Sequence, residues 1–350
     1  MSWMIALLVL SAMIFFHELG HYTAARLLGV YVEVFSIGFG KRLASFQWLD
    51  TRWQISAIPL GGYVKMKGQD DTDPTAFSTD SDSYNSKKPW QRIIILLAGP
   101  LANFLLAFVF FFAIALGGPK ALSPVIGSVV NDSPAFAAGL EKGDRILSIN
   151  ATPIQTWNDL SDTIKSSEGA LNVQIERSRA VRALTLIPRI SESKNLFGET
   201  IHQRMVGIAP LGETFTLDLG GYDALVYAAQ ETYSSSLLIF QSVQKLITGI
   251  IPAKEVGGVV SIVKITADAT EYGWMSLLFF SALISVNLGV LNLLPIPALD
   301  GGHIMFNLYE MIRRKAPSEE AIYRLTLGGW VLLLGLMALG LYNDITRLMQ

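Results

Sequence analysis

Four stretches of the chain stay apolar for the ~20 residues that a helix needs to cross a bilayer. They run from about Trp3 to Leu28, Ile93 to Leu116, Trp274 to Leu294 and Leu325 to Tyr342. The second is interrupted by Gly99-Pro100 and Asn103, and the third leads into Pro295-Ile296-Pro297-Ala298-Leu299-Asp300-Gly301-Gly302. Between the first two the period changes. Val32–Ile37 and Trp53–Ile58 alternate as strands do, with Gly38-Phe39-Gly40 and Gly61-Gly62 as bends, so Tyr31–Met66 predicts a small sheet at the membrane surface. The Asp, Ser and Thr of Gln69–Lys88 read as a solvated loop whose acids serve solubility.

A separate soluble unit is expected from about Pro124 to Pro188. Val125–Val130, Asn172–Glu176 and Ala183–Ile187 have strand character, and Trp157–Ser166 has the spacing of a short amphipathic helix. Leu225–Ile251 has helical spacing but carries Gln230, Glu231, Gln241, Gln244 and Lys245. It predicts a helix on the outer membrane surface or against the bundle. A fifth span is the competing reading, and it would put Asp300 and His21 on opposite sides of the membrane.

Composition supports the membrane reading. The chain of 350 residues is 51% hydrophobic and 16% charged, with a mean hydropathy of +0.41, against about 25% charged in soluble domains. A net charge of −2 without a basic run gives nucleic acid nothing to bind. The absence of cysteine excludes disulfides and thiolate metal sites but leaves the compartment open. The N-terminal segment lacks a basic start and a small-residue cleavage site, and reads as a retained span. Orientation follows from basic residues near the spans. Arg26, Lys41, Arg42, Arg52, Lys65, Lys67, Lys87, Lys88 and Arg92 lie between spans one and two, and Arg313, Arg314, Lys315 and Arg324 follow span three. Both loops are expected in the cytoplasm, with the 117–273 segment and both termini outside.

The candidate chemistry sits in the first span. His17-Glu18-Leu19-Gly20-His21 puts two imidazoles at i and i+4, on one helix face, with a carboxylate beside them. Two histidines in that relation bind zinc while the glutamate activates its water. Ionisable groups inside a membrane are costly and mark function. A catalytic zinc takes three protein ligands and a water, and Asp300, at matching depth after span three, is the best-placed third ligand. His303 is a weaker candidate, and His202 lies in the external segment. Irregular backbone at membrane depth needs a covering of protein or a water-filled cavity, so the Pro295–Gly302 break implies a cavity. Asn292 could hold a substrate backbone there or make an interhelical hydrogen bond.

Two resemblances follow from these residues. The run from Ser133-Pro134-Ala135-Phe136 through Gly139-Leu140-Glu141-Lys142-Gly143-Asp144 to Asn150 resembles a PDZ domain of the bacterial, circularly permuted kind. Such a domain captures extended peptides at a sheet edge, so a peptide C-terminus is an implied partner; a packing module with a vacant groove is the alternative. His17-Glu18-x-x-His21, Ala98-Gly99-Pro100-x-x-Asn103, Leu60-Gly61-Gly62-Tyr63-Val64-Lys65-Met66 and Asn292 through Asp300-Gly301 resemble the site-2 protease family of intramembrane zinc proteases. The PDZ insertion between spans two and three is similar to its bacterial RseP/RasP type, although this chain has room for one PDZ domain and not a tandem pair.

The family resemblance implies one Zn2+ per chain, bound by His17, His21 and Asp300, with Glu18 as general base. It implies that Gly38, Gly40, Gly61 and Gly62 belong to β elements that pair with substrate, and that Asn292 and Pro297 belong to a loop that clamps it. The expected fold is a polytopic α-helical membrane protein of about four transmembrane helices, with a membrane-associated β element and one extracytoplasmic PDZ domain. Its parts are 1–30 (first span), 31–91 (cytoplasmic β-rich loop), 92–117 (second span), 118–190 (PDZ), 191–273 (external segment with a surface helix), 274–302 (third span), 303–323 (cytoplasmic loop) and 324–350 (fourth span and C-terminus). The expected activity is cleavage of transmembrane segments of single-span proteins after an earlier cut, in the bacterial inner membrane, with the site toward the cytoplasm. Anti-sigma factors and remnant signal peptides are the implied substrate classes, and lipid is the surrounding partner. A proteolytically inactive PDZ-containing scaffold is the alternative.

Overall fold

The computed structural model describes residues 2–69 and 78–349, with backbone alone at Pro59 and Leu60. Helix α1 (Ser2–Leu27) carries the apolar N-terminal run. It ends in a Schellman turn: Gly29 takes φ +70°, the Gly29 N–H donates to Arg26 O and the Val30 N–H to Ala25 O. The chain then forms a hairpin, β1 (Val32–Trp48) and β2 (Thr51–Met66), closed by Leu49 and Asp50, both at positive φ as a type I′ turn requires. Bends let the two strands meet more than once. Residues 34–37 are paired with 62–65 and also with 52–55, and 52–55 borders 44–47. Pro89 starts α2 (Pro89–Leu116) at its first helical position, where its missing N–H costs nothing.

Of the loop read from Gln69 to Lys88, residues 70–77 lie outside the described residues. The rest is anchored at two buried residues and by ion pairs, with its other residues half-buried or exposed. Tyr84 and Ser83 are buried, and Lys67 Nζ stands 2.8 Å from both Asp80 and Asp82. Its ammonium, hydrogen-bonded to Asp80, holds that carboxyl below the usual carboxylate range. Composition alone missed this because partners thirteen and fifteen residues away are invisible to a local pattern.

Residues 115–222 form one compact unit, and 1–114 with 223–350 another. The first contains β3 (Lys120–Leu122), β4 (Ile126–Val129), α3 (Pro134–Ala137), β5 (Arg145–Ile149), β6 (Thr152–Pro153), α4 (Trp157–Ser166), β7 (Leu171–Arg177), β8 (Ala180–Leu186), β9 (Arg189–Lys194), β10 (Thr200–Met205), β11 (Ile208–Pro210) and β12 (Thr214–Thr216). Strands β6-β5-β7-β8 make a four-stranded sheet. Alternate residues Leu171, Val173 and Ile175 point into a core shared with Leu160 and Ile164 of α4. A capping box between Thr156 and Asp159 starts α4. The unit runs past the boundary at 190 that local pattern suggests, because β11 returns to pair with β4 and β12 with β3. Asp144, almost wholly buried, takes two bonds of 2.7 Å from Arg177.

The other unit continues with α5 (Gly221–Ile247), α6 (Val259–Glu271), α7 (Trp274–Asn292), α8 (Asp300–Arg313) and α9 (Glu319–Leu348). Helices α1, α2, α7 and α9 are long and apolar enough to span a membrane. The polar helix α5 buries Ala228 with Ala107 and Phe111 of α2 and Ala282 and Val286 of α7, so it packs against the bundle. A second core joins Tyr22, Phe35, Trp53, Val64, Tyr84 and Ile95, fastening the hairpin to α1 and α2; the Phe35 and Trp53 rings stack at 4.3 Å. Near the chain's end, Asp344 of α9 accepts bonds from the Gly258 and Ser261 N–H groups at 3.0 Å, capping α6 from another helix.

Candidate metal centre

Histidines 17 and 21 sit one turn apart on α1, both buried. The break after α7 brings Asp300 to them as the first residue of α8. The break folds tightly over that first turn: a Cβ on Gly301 would lie 2.3 Å from Leu294 O, and one on Gly302 2.3 Å from Ile296 O. Only residues without a side chain let the backbone close in this way.

The three candidate ligand atoms form a small triangle. His17 Nε2 and His21 Nε2 are 3.1 Å apart, and Asp300 Oδ2 lies 3.3 Å from the first and 3.4 Å from the second. Among the described residues these three make the group able to hold a metal. Tetrahedral ligands about 2.0–2.1 Å from zinc stand about 3.3–3.4 Å from one another, so the triangle has the size the ion requires. The donor chemistry agrees. Asp300 Oδ2 is buried without a hydrogen-bond donor, and it faces two imidazole nitrogens. With neutral rings, three lone pairs converge, an arrangement that a shared cation stabilises.

The surroundings orient these side chains. His21 Nδ1–H donates to Ile95 O at 2.8 Å, which leaves the Nε2 lone pair toward Asp300. Gly99 makes room for that ring, since a Cβ there would lie 2.2 Å from His21 Nε2. The Asn103 amide lies 3.2 Å from His17 Nδ1. Beside the triangle is a cavity of about 170 Å³ lined by Ile14, His17, Glu18, Gly61, Gly62, Asn103, Leu288 and Asn292.

Of the residues singled out in the sequence, the structure gathers His17, His21 and Asp300 into the cluster and sets Glu18, Gly61, Gly62 and Asn292 around the cavity. Gly38 and Gly40 fall at bends of β1 outside that lining, and Pro297 packs on the first turn of α8. His303 is on α8, its ring edge-on to Phe306 at 5.9 Å, and His202 is an exposed residue of β10 near Glu192. Gly99, Asn103 and the Ile95 carbonyl touch the two histidine rings, contacts that the pattern did not assign. Gly99 and Asn103 gave a signal, as interruptions of an apolar span within one motif, whereas the Ile95 carbonyl, a backbone group, gave none.

The model of peptidase family M50, the site-2 protease family, matches residues 5–336. The chain belongs to peptidase family M50. A Campylobacter jejuni protein is 45% identical over 348 residues, covering 99% of this chain and 94% of the relative. One from Helicobacter pylori strain 26695 is 41% identical over 99% of this chain and all of its own length. One from Clostridium acetobutylicum is 34% identical, covering 97% of this chain and 96% of its own. All three carry the provisional name of zinc metalloprotease. This M50 peptidase is therefore a zinc metalloprotease and a multi-pass membrane protein, with Zn2+ as its cofactor.

Proposed function

We propose that this M50 peptidase is an intramembrane endopeptidase that cuts the transmembrane segment of single-span proteins already shortened by another protease. The observation that carries the reading is the His17–His21–Asp300 triangle beside a cavity that Glu18 lines, with both histidines on α1, a helix apolar enough to cross a bilayer, and Asp300 at the start of α8, just after another such helix, α7. His17, His21 and Asp300 hold the metal, one ion per chain. Zinc there supplies a Lewis acid and acidifies a bound water.

Glu18 accepts a proton from the attacking water on its carboxylate and passes it to the leaving amide nitrogen as the C–N bond breaks. Asn292, with donor and acceptor on one amide, orients the substrate backbone. The 61–66 part of β2 lies on the cavity side of β1, and no described strand pairs with its outer edge. An unwound substrate adds there as a strand, since a helical one keeps its peptide groups in its own hydrogen bonds. Gly38, Gly40 and Pro297 support this reception from outside the cavity, through the bends of β1 and the packing of the loop before α8.

The 115–222 unit reads as a single PDZ domain outside the cytoplasm. A groove of about 100 Å³ between α4 and residues 203–208, flanked by Lys165 and Arg204, suits a peptide with a terminal carboxylate. The protein lies in the inner membrane, and the basic residues between the first two spans and after the third set the metal centre toward the cytoplasm. Anti-sigma factors and remnant signal peptides are the substrate classes that fit. The test is Glu18→Gln: zinc content is retained while peptide cleavage in detergent falls by about 10³-fold or more, and membrane peptides that accumulate only beside the variant identify the substrates. Undiminished cleavage by the variant overturns the reading.

A further inference from the structure

Asn103 is fully buried on α2. Its amide meets His17 Nδ1 at 3.2 Å through Nδ2, while its Oδ1 is buried without a hydrogen-bond partner. Its backbone carbonyl is fastened separately by the Ser285 hydroxyl of α7, which donates to it at 2.7 Å. The residue is thus held by two helices and directed at the ring on a third.

A neutral imidazole has one N–H and one lone pair. For His17 to offer its lone pair to a metal at Nε2, where the triangle lies, the proton must be on Nδ1. An Nδ1–H facing an amide NH2 is donor against donor, with the carbonyl oxygen orphaned. The two ends of a carboxamide have nearly the same shape, and a half-turn about its last bond exchanges them. That half-turn replaces the donor–donor clash with a hydrogen bond from Nδ1–H to Oδ1 and satisfies the buried oxygen, with the NH2 group turned to the side where Oδ1 stood, toward the cavity that Asn103 lines. His21 already has the equivalent arrangement with the Ile95 carbonyl.

We infer that Asn103 is a positioning residue for the metal centre: its Oδ1 accepts the His17 Nδ1–H, fixing the tautomer and ring plane in which Nε2 binds zinc. The inference rests on the reading of His17 as a ligand. Outer partners of ligating histidines affect metal affinity by about 10–100-fold.

The experiment compares Asn103→Leu, which has no acceptor, with Asn103→Asp, which keeps an acceptor and loses the donor. Zinc affinity is measured in detergent against a chromogenic chelator, and ligand geometry by the visible absorption of the cobalt-loaded protein. Asn103→Leu is expected to bind zinc about 10–100-fold more weakly with altered cobalt bands, and Asn103→Asp to stay within a few-fold of the parent. Parental affinity in Asn103→Leu, or equal losses in both variants, overturns the inference. His17→Ala separates the two levels. If it leaves zinc affinity unchanged, the ligand reading fails; if it abolishes binding while Asn103→Leu does not weaken it, only the role of Asn103 fails. Should Asn103→Leu not fold, nitrogen NMR of the zinc-loaded parent labelled at its four histidines decides. A proton on His17 Nδ1 that moves in Asn103→Asp is the expected signature, and a proton on Nε2 overturns it.

Discussion

Arg92 Nη2 donates to Glu310 Oε1 at 2.8 Å, joining the start of α2 to the last turns of α8. Both side chains are mostly covered, with 15% and 22% exposure. The pair braces the helix whose first residue is Asp300 against the helix that carries Gly99 and Asn103. Arg92→Ala and Glu310→Ala are each expected to lower the melting temperature in detergent. A double-mutant cycle should return a coupling of about 1 kcal/mol that shrinks with salt; additive effects would remove the brace.

Gly99→Ala tests how closely the metal centre is packed. The added methyl would lie 2.2 Å from His21 Nε2, so the ring must move by more than an ångström even though alanine favours the helix. Zinc affinity is expected to fall by at least about 10-fold with unchanged circular dichroism. Parental affinity would mean that the ring has another position to occupy.

Removing the metal should be reversible. A chelator such as 1,10-phenanthroline is expected to abolish peptidase activity, and added zinc to restore it. Asp300→Asn should then need a higher zinc concentration for half-restoration, because an amide is a poorer ligand than a carboxylate; an unchanged zinc requirement would exclude Asp300 from the ligand set.

Asp344→Ala should loosen α6 rather than the metal centre. Loss of a buried carboxylate that caps Gly258 and Ser261 costs about 2 kcal/mol, read as roughly 30-fold faster hydrogen exchange of those amides. Unchanged exchange would show that α6 holds its N-terminus without the cap.

Arg177→Met removes the partner of a buried charge. Asp144 is 1% exposed, and stranding it is expected to destabilise the 115–222 unit by about 3 kcal/mol. Adding Asp144→Asn should recover part of the loss, as followed by hydrogen exchange of the β5 and β7 amides. Full additivity of the two changes would contradict the pairing.

The elements that local pattern can announce were legible in the sequence. The four spans are uniform apolar runs and His17-Glu18-x-x-His21 is one turn of helix, so each carries its whole signal within about 20 residues. The strands of Tyr31–Met66 alternate, and their glycine bends were visible as well. The packing of Tyr84 and the pairing of Lys67 with Asp80 and Asp82 were not: Tyr84 joins the core of Tyr22 from the other side of the hairpin, and Lys67 reaches its partners across a loop of more than ten residues, beyond the range of a local pattern.

The same distinction governs the site. Sequence by itself determined which groups could do zinc chemistry, since the ligand types and the i, i+4 spacing are properties of the chain. The tertiary structure decided that Asp300 comes within 3.4 Å of both histidines and that β11 and β12 return to the unit begun by β3 and β4. It also placed Asn103 rather than lipid behind His17. The physical reason is range. Hydrogen-bonded turns and apolar runs act between near neighbours in the chain, while the position of a distant group is set by how whole elements bury their faces against one another, and one residue's identity records little of that.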